Sequence, residues 1–454
     1  MVDIGSQHPL DASEIAVFYV NSVYHYGILG GRELALRKSC LFRGVGNPAW
    51  TPRGGQFMNI LNMNYETGTD SKMSRADGQE TLRIVLLTRA LTLGGAQRQL
   101  VYLAKGLAER GHDVHVLSFY GGGELHATAA DVEVSDLGKA GRWDVLAFAK
   151  KARSRLADLR PDVIYSFLTP ANLAAAGLRR FLPEHRLVWS VRASNLDVSA
   201  YGAMTGLTMA VERRLSHVPD LIVANSEAGC RDAVARGFPA AKMCVVPNGI
   251  DTAALALTTP DARARARASL GLESDEVAVG MIARLDPMKD HPTFLRALAQ
   301  VAAKRRTRAV LAGPTEGPAR KRLEALAGEL GIADRLLWLG SVAKVENLYP
   351  ALDVVCLSSA YGEGLPNVIG EAMACGIPCV ATDVGDCRVL LDGFEPVVAP
   401  GSPGALAEAL LSAIEACNSD LHLPQRLRAR ILGRYALARM IETTEGHLYG
   451  CQTT

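Results

Sequence analysis

From Leu82 onward, short apolar runs alternate with longer amphipathic ones, and this alternation leaves few folds open. Leu82–Leu87, His112–Phe119, Val163–Leu168, Leu187–Val191, Leu221–Ala224 and Met243–Val246 are nearly continuous in apolar residues. Such runs predict strands buried on both faces. Gln97–Arg110 and the stretches near 144–159, 171–181, 205–217 and 227–236 predict the helices between them. Strand and helix in succession predict a parallel, doubly wound α/β sheet. After Pro247-Asn248-Gly249-Ile250-Asp251 and a polar, Ala- and Arg-rich connection, a second α/β series begins. Its strands are expected at Val277–Ile282, Ala309–Ala312, Leu336–Leu339, Val354–Leu357, Cys379–Ala381 and Pro396–Val398. Its helices are expected near 292–305, 318–330, 345–351, 366–375 and 403–416, and Leu427–Tyr449 reads as a terminal helix. Open parallel sheets bind ligands beyond the carboxyl ends of their strands. Two such sheets facing each other would enclose a cleft suited to a small molecule.

The 454 residues suffice for two or three domains, and 48% apolar with 21% charged residues suits a soluble enzyme. A net charge of +2 gives no electrostatic footprint for nucleic acid. The nine Cys include no C-x-x-C pair, which fits reduced, buried thiols and a cytoplasmic setting. Cys375 and Cys379 fall on different predicted elements, so no metal site is expected there. No run resembles a membrane span, and no basic stretch precedes Ile15–Gly31 as it would in a signal peptide. Residues 1–80 show no clear period, and 66–80 read as a polar linker. The fold is expected to begin near Met73, with the first 72 residues an unstructured extension or an overlong start.

Four loops at strand ends could carry chemistry. Gly94-Gly95 follows the first strand and opens a helix, so its N–H groups can approach a phosphate; it is also an ordinary glycine turn. Arg284 and Lys289 lie five apart in the loop after Val277–Ile282. A planar fork and a compact charge there suit a diphosphate, while pairing with Asp286 and Asp290 would make them a plain exposed loop. Arg192-Ala193-Ser194-Asn195 gathers polar groups at the rim of the first sheet, or is a structural turn. The fourth loop is Glu363-Gly364-Leu365-Pro366-Asn367-Val368-Ile369-Gly370-Glu371. Pro366 suits the first helical position, which leaves Glu363 in the loop and Glu371 more than one turn inside the helix. The free N–H groups between them suit anions or sugar hydroxyls. A capping acid plus a solvated helix acid is the plainer reading.

The run from Glu363 to Glu371 resembles the E-x7-E element of family 4 of the retaining glycosyltransferases. Arg284 with Lys289 resembles that family's Arg…Lys pair, and Leu93-Gly94-Gly95-Ala96 its glycine loop. Asn225-Ser226 and Pro247-Asn248-Gly249-Ile250-Asp251 resemble its domain-end signatures. The resemblance covers residue 82 to the end and implies two facing Rossmann-like domains. The acceptor-side domain would be 81–251 and the nucleotide-sugar domain 252–432. The helix within 433–454, Tyr435 to Tyr449, would cross back to the first domain.

The resemblance also implies roles. Arg284 and Lys289 would bind the donor diphosphate, Gly94 and Gly95 would assist from the other domain, and Glu363 would contact the donor sugar. Glu371 would take the ribose hydroxyls, the N–H groups of Leu365, Asn367 and Val368 would hold sugar or phosphate, and Ser341 and Val342 would lie near the base. Transfer of a glycosyl group from a UDP- or GDP-sugar, with retention, is implied, and no cofactor or metal. An Asp-x-Asp clamp is absent from the sequence. A glycan or lipid-linked acceptor of surface polysaccharide biosynthesis is expected, with peripheral membrane contact. One departure concerns Tyr165-Ser166-Phe167-Leu168-Thr169, where many members carry a His; that contact is either missing here or supplied by another group such as Arg192 or Asn195. A nucleotide-sugar epimerase, a hydrolase using paired carboxylates, and a non-catalytic relative are the other readings.

Overall fold

The computed structural model describes residues 80–450, apart from 130, 142, 195–202, 315, 395 and 396. The expected N-terminal extension therefore lies outside the described residues, as does Asn195.

The apolar runs form two parallel sheets. The first contains β1 (Arg83–Thr88), β2 (Asp113–Ser118), β3 (Glu133–Asp136), β4 (Val163–Phe167), β5 (Arg186–Val191), β6 (Leu221–Ala224) and β7 (Met243–Val245). Its spatial order is β3-β2-β1-β4-β5-β6-β7. The second contains β8 (Val277–Ile282), β9 (Thr307–Ala312), β10 (Leu336–Gly340), β11 (Val354–Leu357), β12 (Cys379–Thr382) and β13 (Val397–Val398), in the order β10-β9-β8-β11-β12-β13. The order reverses beside β1 and beside β8, and a crevice opens at such switch points. Apolar layers lie on both faces of each sheet: Val85, Ile164 and Trp189 on one face of the first, Ile84, Leu86 and Tyr165 on the other. This is the doubly wound parallel plan that the alternation predicts.

Three elements differ from expectation. β3 was not predicted, because Glu-Val-Ser-Asp is a half-buried edge strand with no apolar run. The helix expected at 345–351 is two 3₁₀ turns, Val345–Asn347 and Tyr349–Ala351, since Pro350 supplies no N–H to continue a helix. The terminal helix is broken into Leu423–Arg434 and Leu437–Leu448. The break is set by tertiary pairing: Ile250 N–H donates to Tyr435 O at 2.8 Å, and Leu437 N–H donates to Ile250 O at 2.9 Å.

Leu437–Leu448 then packs on the helix Gly95–Glu109 of the first sheet. Its Met440 and Ile441 enter that apolar layer. Glu445, 4% exposed, accepts from Arg110 Nε at 2.6 Å and meets His112 Nε2 at 2.8 Å. Glu445→Ala leaves both partners without their carboxylate, and we expect it to cost about 3 kcal/mol. A thermal melt should show the loss as a midpoint several degrees lower, and an unchanged midpoint would contradict this account of the terminal helix.

Among the described residues, no helix is long and apolar enough to cross a membrane. Cys356, Cys375, Cys379 and Cys387 are buried and free, and among the described residues no group of three or more His, Cys, Asp or Glu side chains could hold a metal.

Candidate functional site

The loop after β1 leads to the glycine turn. Gly94 is the cap of the helix Gly95–Glu109, in extended backbone. Gly95 matters for its missing side chain, since a Cβ there would lie 3.1 Å from Asn367 Nδ2. In its absence the Asn367 amide of the second sheet donates to Gly95 O at 3.3 Å. The glycine loop thus meets the Glu363–Glu371 segment.

That segment follows β11. Pro366 is the cap of the helix Asn367–Ala374, not its first residue as expected. Its ψ of 112° is extended, so the chain turns into the helix only at Asn367. Glu363 is 6% exposed. Its Oε1 accepts from Ser359 Oγ at 2.5 Å and forms an ion pair with Lys289 Nζ. Its carbonyl accepts from Ser194 N at 3.1 Å and from Ser194 Oγ. Leu365 O accepts from Asn248 Nδ2 at 3.0 Å, and Asn248 Nδ2 also donates to Asn367 Oδ1 at 2.7 Å. Val368 is half-buried on the same helix.

Glu371, also 6% exposed, has a donor on each oxygen: Arg98 Nη2 at 2.5 Å from Oε1, and Tyr349 Oη at 2.6 Å from Oε2. Burial opposes the Arg98 charge, but Glu371, then Tyr349 and Tyr102, more than offset it and leave Arg98 above its ordinary value. Burial first, then Glu371, pushes the Tyr349 phenol well up, so it stays a donor.

The basic loop after β8 is built by its own acids. Asp286 Oδ1 accepts from Met288 N at 3.0 Å and starts a 3₁₀ turn over Pro287–Lys289. Asp290, at φ 45°, caps the helix His291–Ala302 by accepting from Thr293 N at 3.2 Å. The turn aims Lys289 at Glu363. Arg284 is not drawn in; its side chain is 61% exposed, 3.3 Å from Asp286 Oδ2. His291 beside it is buried, and burial, then the Lys289 charge, pull its imidazole down from 6.5 to about 4. The unfolded chain takes up a proton that the folded one refuses. This contribution to stability is complete above pH 6.5 and is lost as the pH falls towards 4. The loss is on the order of 3 kcal/mol. His291→Gln should narrow the gap between melting temperatures at pH 7 and pH 4.5, and an unchanged gap would contradict this.

On the first sheet, Arg192 lies against the site through its neighbours. Its Nε donates to Ser190 Oγ at 2.7 Å, its Nη1 to Asn248 Oδ1 at 2.9 Å, and its guanidinium stacks 4.6 Å from the Phe167 ring centroid. Burial pushes the adjacent Tyr165 phenol up to about 12, against the pull of Arg192. Arg192 thus lies over Phe167, in the stretch that carries no His. Leu168 has φ 72°, a left-handed conformation that a branched residue rarely adopts and that recurs at functional strand ends. Ser341 is exposed after β10, and Val342 packs against the cluster that holds Tyr349 and Ile369.

Several site residues were missed in the sequence. Arg98, Tyr349, Ser359 and Asp386 belong to no motif quoted above. Asp386, 3% exposed, accepts from Glu227 N at 2.7 Å and from Ala228 N at 2.9 Å, so a second-sheet carboxylate caps a first-sheet helix. Its only signal is its place in the loop after β12. Arg98 could have been found as the one cation in the first turn after the glycines.

Two family descriptions match the chain: Glycosyltransferase Family 4 over residues 93–254, and Glycosyl transferases group 1 over residues 262–430. The D-inositol 3-phosphate glycosyltransferase of Mycolicibacterium smegmatis is 33% identical over 203 residues, 43% of this chain and 44% of that protein. The chain therefore spans less than half the length of such relatives in these matches. Among solved structures, HepE of Anabaena in complex with UDP-glucose superposes with a TM-score of 0.72 at 24% identity, covering 81% of this chain and all of that one. WaaG, a glycosyltransferase involved in lipopolysaccharide biosynthesis, superposes at 0.63 with 17% identity, covering 81% and 100%. These likenesses identify the architecture: the chain has the two-sheet fold of the glycosyltransferase superfamily.

Proposed function

We propose that this chain is a glycosyltransferase that moves a sugar from a nucleotide-sugar donor to a glycan or lipid-linked acceptor, with retention and without a metal. One observation carries the reading. Lys289 and Glu363 are paired at the strand ends of the second sheet, while Glu371 and Asn367 of the same segment meet Arg98 and Gly95 of the first. The proposed division runs 81–251, 252–432 and 433–454, with the last helix returning to the first domain.

In this reading the bond from the anomeric carbon to the diphosphate breaks and a bond to the acceptor oxygen forms. The acceptor proton passes to the departing phosphate oxygen on the same face. Charge grows on that phosphate, and fixed cations and N–H donors stabilise it most. Lys289 keeps N–H bonds to spare beyond the one to Glu363, and Arg284 is free to swing in from the rim. Glu363, Ser194 and the N–H groups at Leu365, Asn367 and Val368 hold the sugar and phosphate. Glu371 holds the ribose, and Ser341 and Val342 flank the base. The acceptor is assigned to the cavity of about 240 Å³ lined by Ser194, Arg231, Asp232, Asp383 and Gly385.

The proposed work is on surface polysaccharide at the cytoplasmic face of the membrane, and of the proteins named above WaaG is involved in lipopolysaccharide biosynthesis. Trp143, just before the basic helix Leu146–Leu159, and Leu146, its first residue, are 77% and 79% exposed, which suits contact with anionic lipid. Trp143→Ala/Leu146→Ser should reduce co-sedimentation with phosphatidylglycerol vesicles, and equal sedimentation would contradict membrane contact there.

The direct test is incubation with UDP- and GDP-sugars and candidate acceptors in the presence of a chelator, followed by nucleotide assay and proton NMR. Released nucleotide with an acceptor product that keeps the donor's anomeric configuration is expected. Release without an acceptor product would favour a hydrolase, an altered sugar still on its nucleotide would favour an epimerase, and a strict metal requirement would contradict the cationic clamp.

A further inference from the structure

We propose that Arg98 is a positioning residue of the nucleotide site, holding the Glu371 carboxylate from the opposite sheet so that the ribose hydroxyls are read only when the two halves meet. The inference rests on the reading of Glu371 as the ribose acceptor.

Arg98 is fixed at its base. The next residue, Gln99, is 1% exposed, and its amide closes two bonds with Gly249: Nε2 donates to the carbonyl at 2.8 Å, and Oε1 accepts from the N–H at 2.9 Å. This locks the first turn of Gly95–Glu109 against the loop that ends the first sheet. Arg98 extends from the locked turn and meets Glu371 Oε1 at 2.5 Å, with its own side chain only 26% exposed.

The carboxylate is shared in an orderly way. Arg98 takes one position on Oε1, and Tyr349, from the second half, takes one on Oε2 at 2.6 Å. A carboxylate oxygen accepts two hydrogen bonds. One position on each oxygen remains, which is the pair that a vicinal diol can use. A buried carboxylate is costly without a cation and a full set of donors. Among the described residues of the second half, only the neutral Tyr349 donates to the Glu371 carboxylate, so the compensating cation comes from across the cleft. Separation of the halves removes it. Ribose recognition is then strongest in the closed arrangement, where Gly95 and Lys289 also face the diphosphate.

The test compares two ligands on the full chain. The tighter-binding of UDP and GDP is titrated calorimetrically against wild type, Arg98→Ala, Arg98→Lys and Tyr349→Phe, and so is its 2′,3′-dideoxy counterpart. Arg98→Ala should weaken the ribonucleotide about tenfold and leave the dideoxy ligand within about twofold of wild type. Arg98→Lys should recover part of the loss, and it serves as the folded variant if Arg98→Ala does not fold. Equal weakening of both ligands would assign Arg98 a merely structural role and overturn the proposal. Tighter ribonucleotide binding by Arg98→Ala would overturn it too, since Arg98 would then be occupying the place of the ribose. Wild type that binds neither UDP nor GDP would instead fail the functional reading on which the proposal rests.

Discussion

Lys289→Ala is expected to lower kcat about 10²–10³-fold, the loss typical of removing one fixed donor to a developing oxyanion. The Lys289 side chain is only 16% exposed, and Glu363 and the Pro287–Lys289 turn set its direction. Its removal has a second effect. Glu363 would stay buried with Ser359 Oγ as its remaining side-chain donor, so the variant should also melt several degrees lower. Arg284→Ala separates the two effects. Arg284 is largely exposed and its ion pair is with Asp286, so its loss should change stability by less than about 0.5 kcal/mol. Turnover should still fall by about tenfold or more if, as proposed, Arg284 binds the donor diphosphate. An Arg284→Ala/Lys289→Ala double variant that releases nucleotide at the wild-type rate would remove the diphosphate clamp from the account.

Gly364→Ala should be nearly as damaging, for a steric reason. A Cβ at this position would lie 2.3 Å from Asn225 Oδ1 and 2.8 Å from its Nδ2. Asn225 is 3% exposed at the end of β6, so it has little room to yield. The turn at Gly364 is equally confined, since its carbonyl accepts from Asp386 N at 2.9 Å. The methyl therefore pushes the two sheets apart at the point where Ser194 and Asp386 join them. Overpacking of this kind costs about 1–3 kcal/mol. A displacement near 1 Å at Glu363 is sufficient to reduce turnover about 10²-fold. Steady-state kinetics beside a thermal melt would show a modest stability change with a large loss of kcat. Wild-type kcat would mean that the Glu363–Gly364 turn does not need its close approach to Asn225.

The fold was legible because parallel strands buried on both faces leave unbroken apolar runs, as at Val354–Leu357 and Cys379–Thr382. β3 was hidden because an edge strand need not be apolar. The break at Tyr435-Ala436 was hidden because it is written in Ile250, nearly two hundred residues earlier. The candidate site divides in the same way. Glu363, Lys289 and Gly95 lie at strand ends, so the sequence offered them as candidates beside plainer readings, and their roles came from the family resemblance. Arg98, Tyr349 and Asp386 act by reaching another part of the chain. Nothing within a few residues of Asp386 announces that it will cap the helix Glu227–Ala235. Arg192 shows the converse: the sequence offered a polar group at the rim, and the structure places much of it on Ser190, Asn248 and Phe167.

The central claim is that Arg284 and Lys289 form a charge clamp for the donor diphosphate. Calorimetric titration of UDP against UMP, and of GDP against GMP, on wild type and the Arg284→Ala/Lys289→Ala variant tests it most directly. The account predicts that wild type binds one diphosphate at least tenfold more tightly than its monophosphate, and that the double variant loses this preference while its monophosphate affinity stays close to wild type. Equal affinity of wild type for diphosphate and monophosphate, or a preference that survives in the double variant, would contradict it.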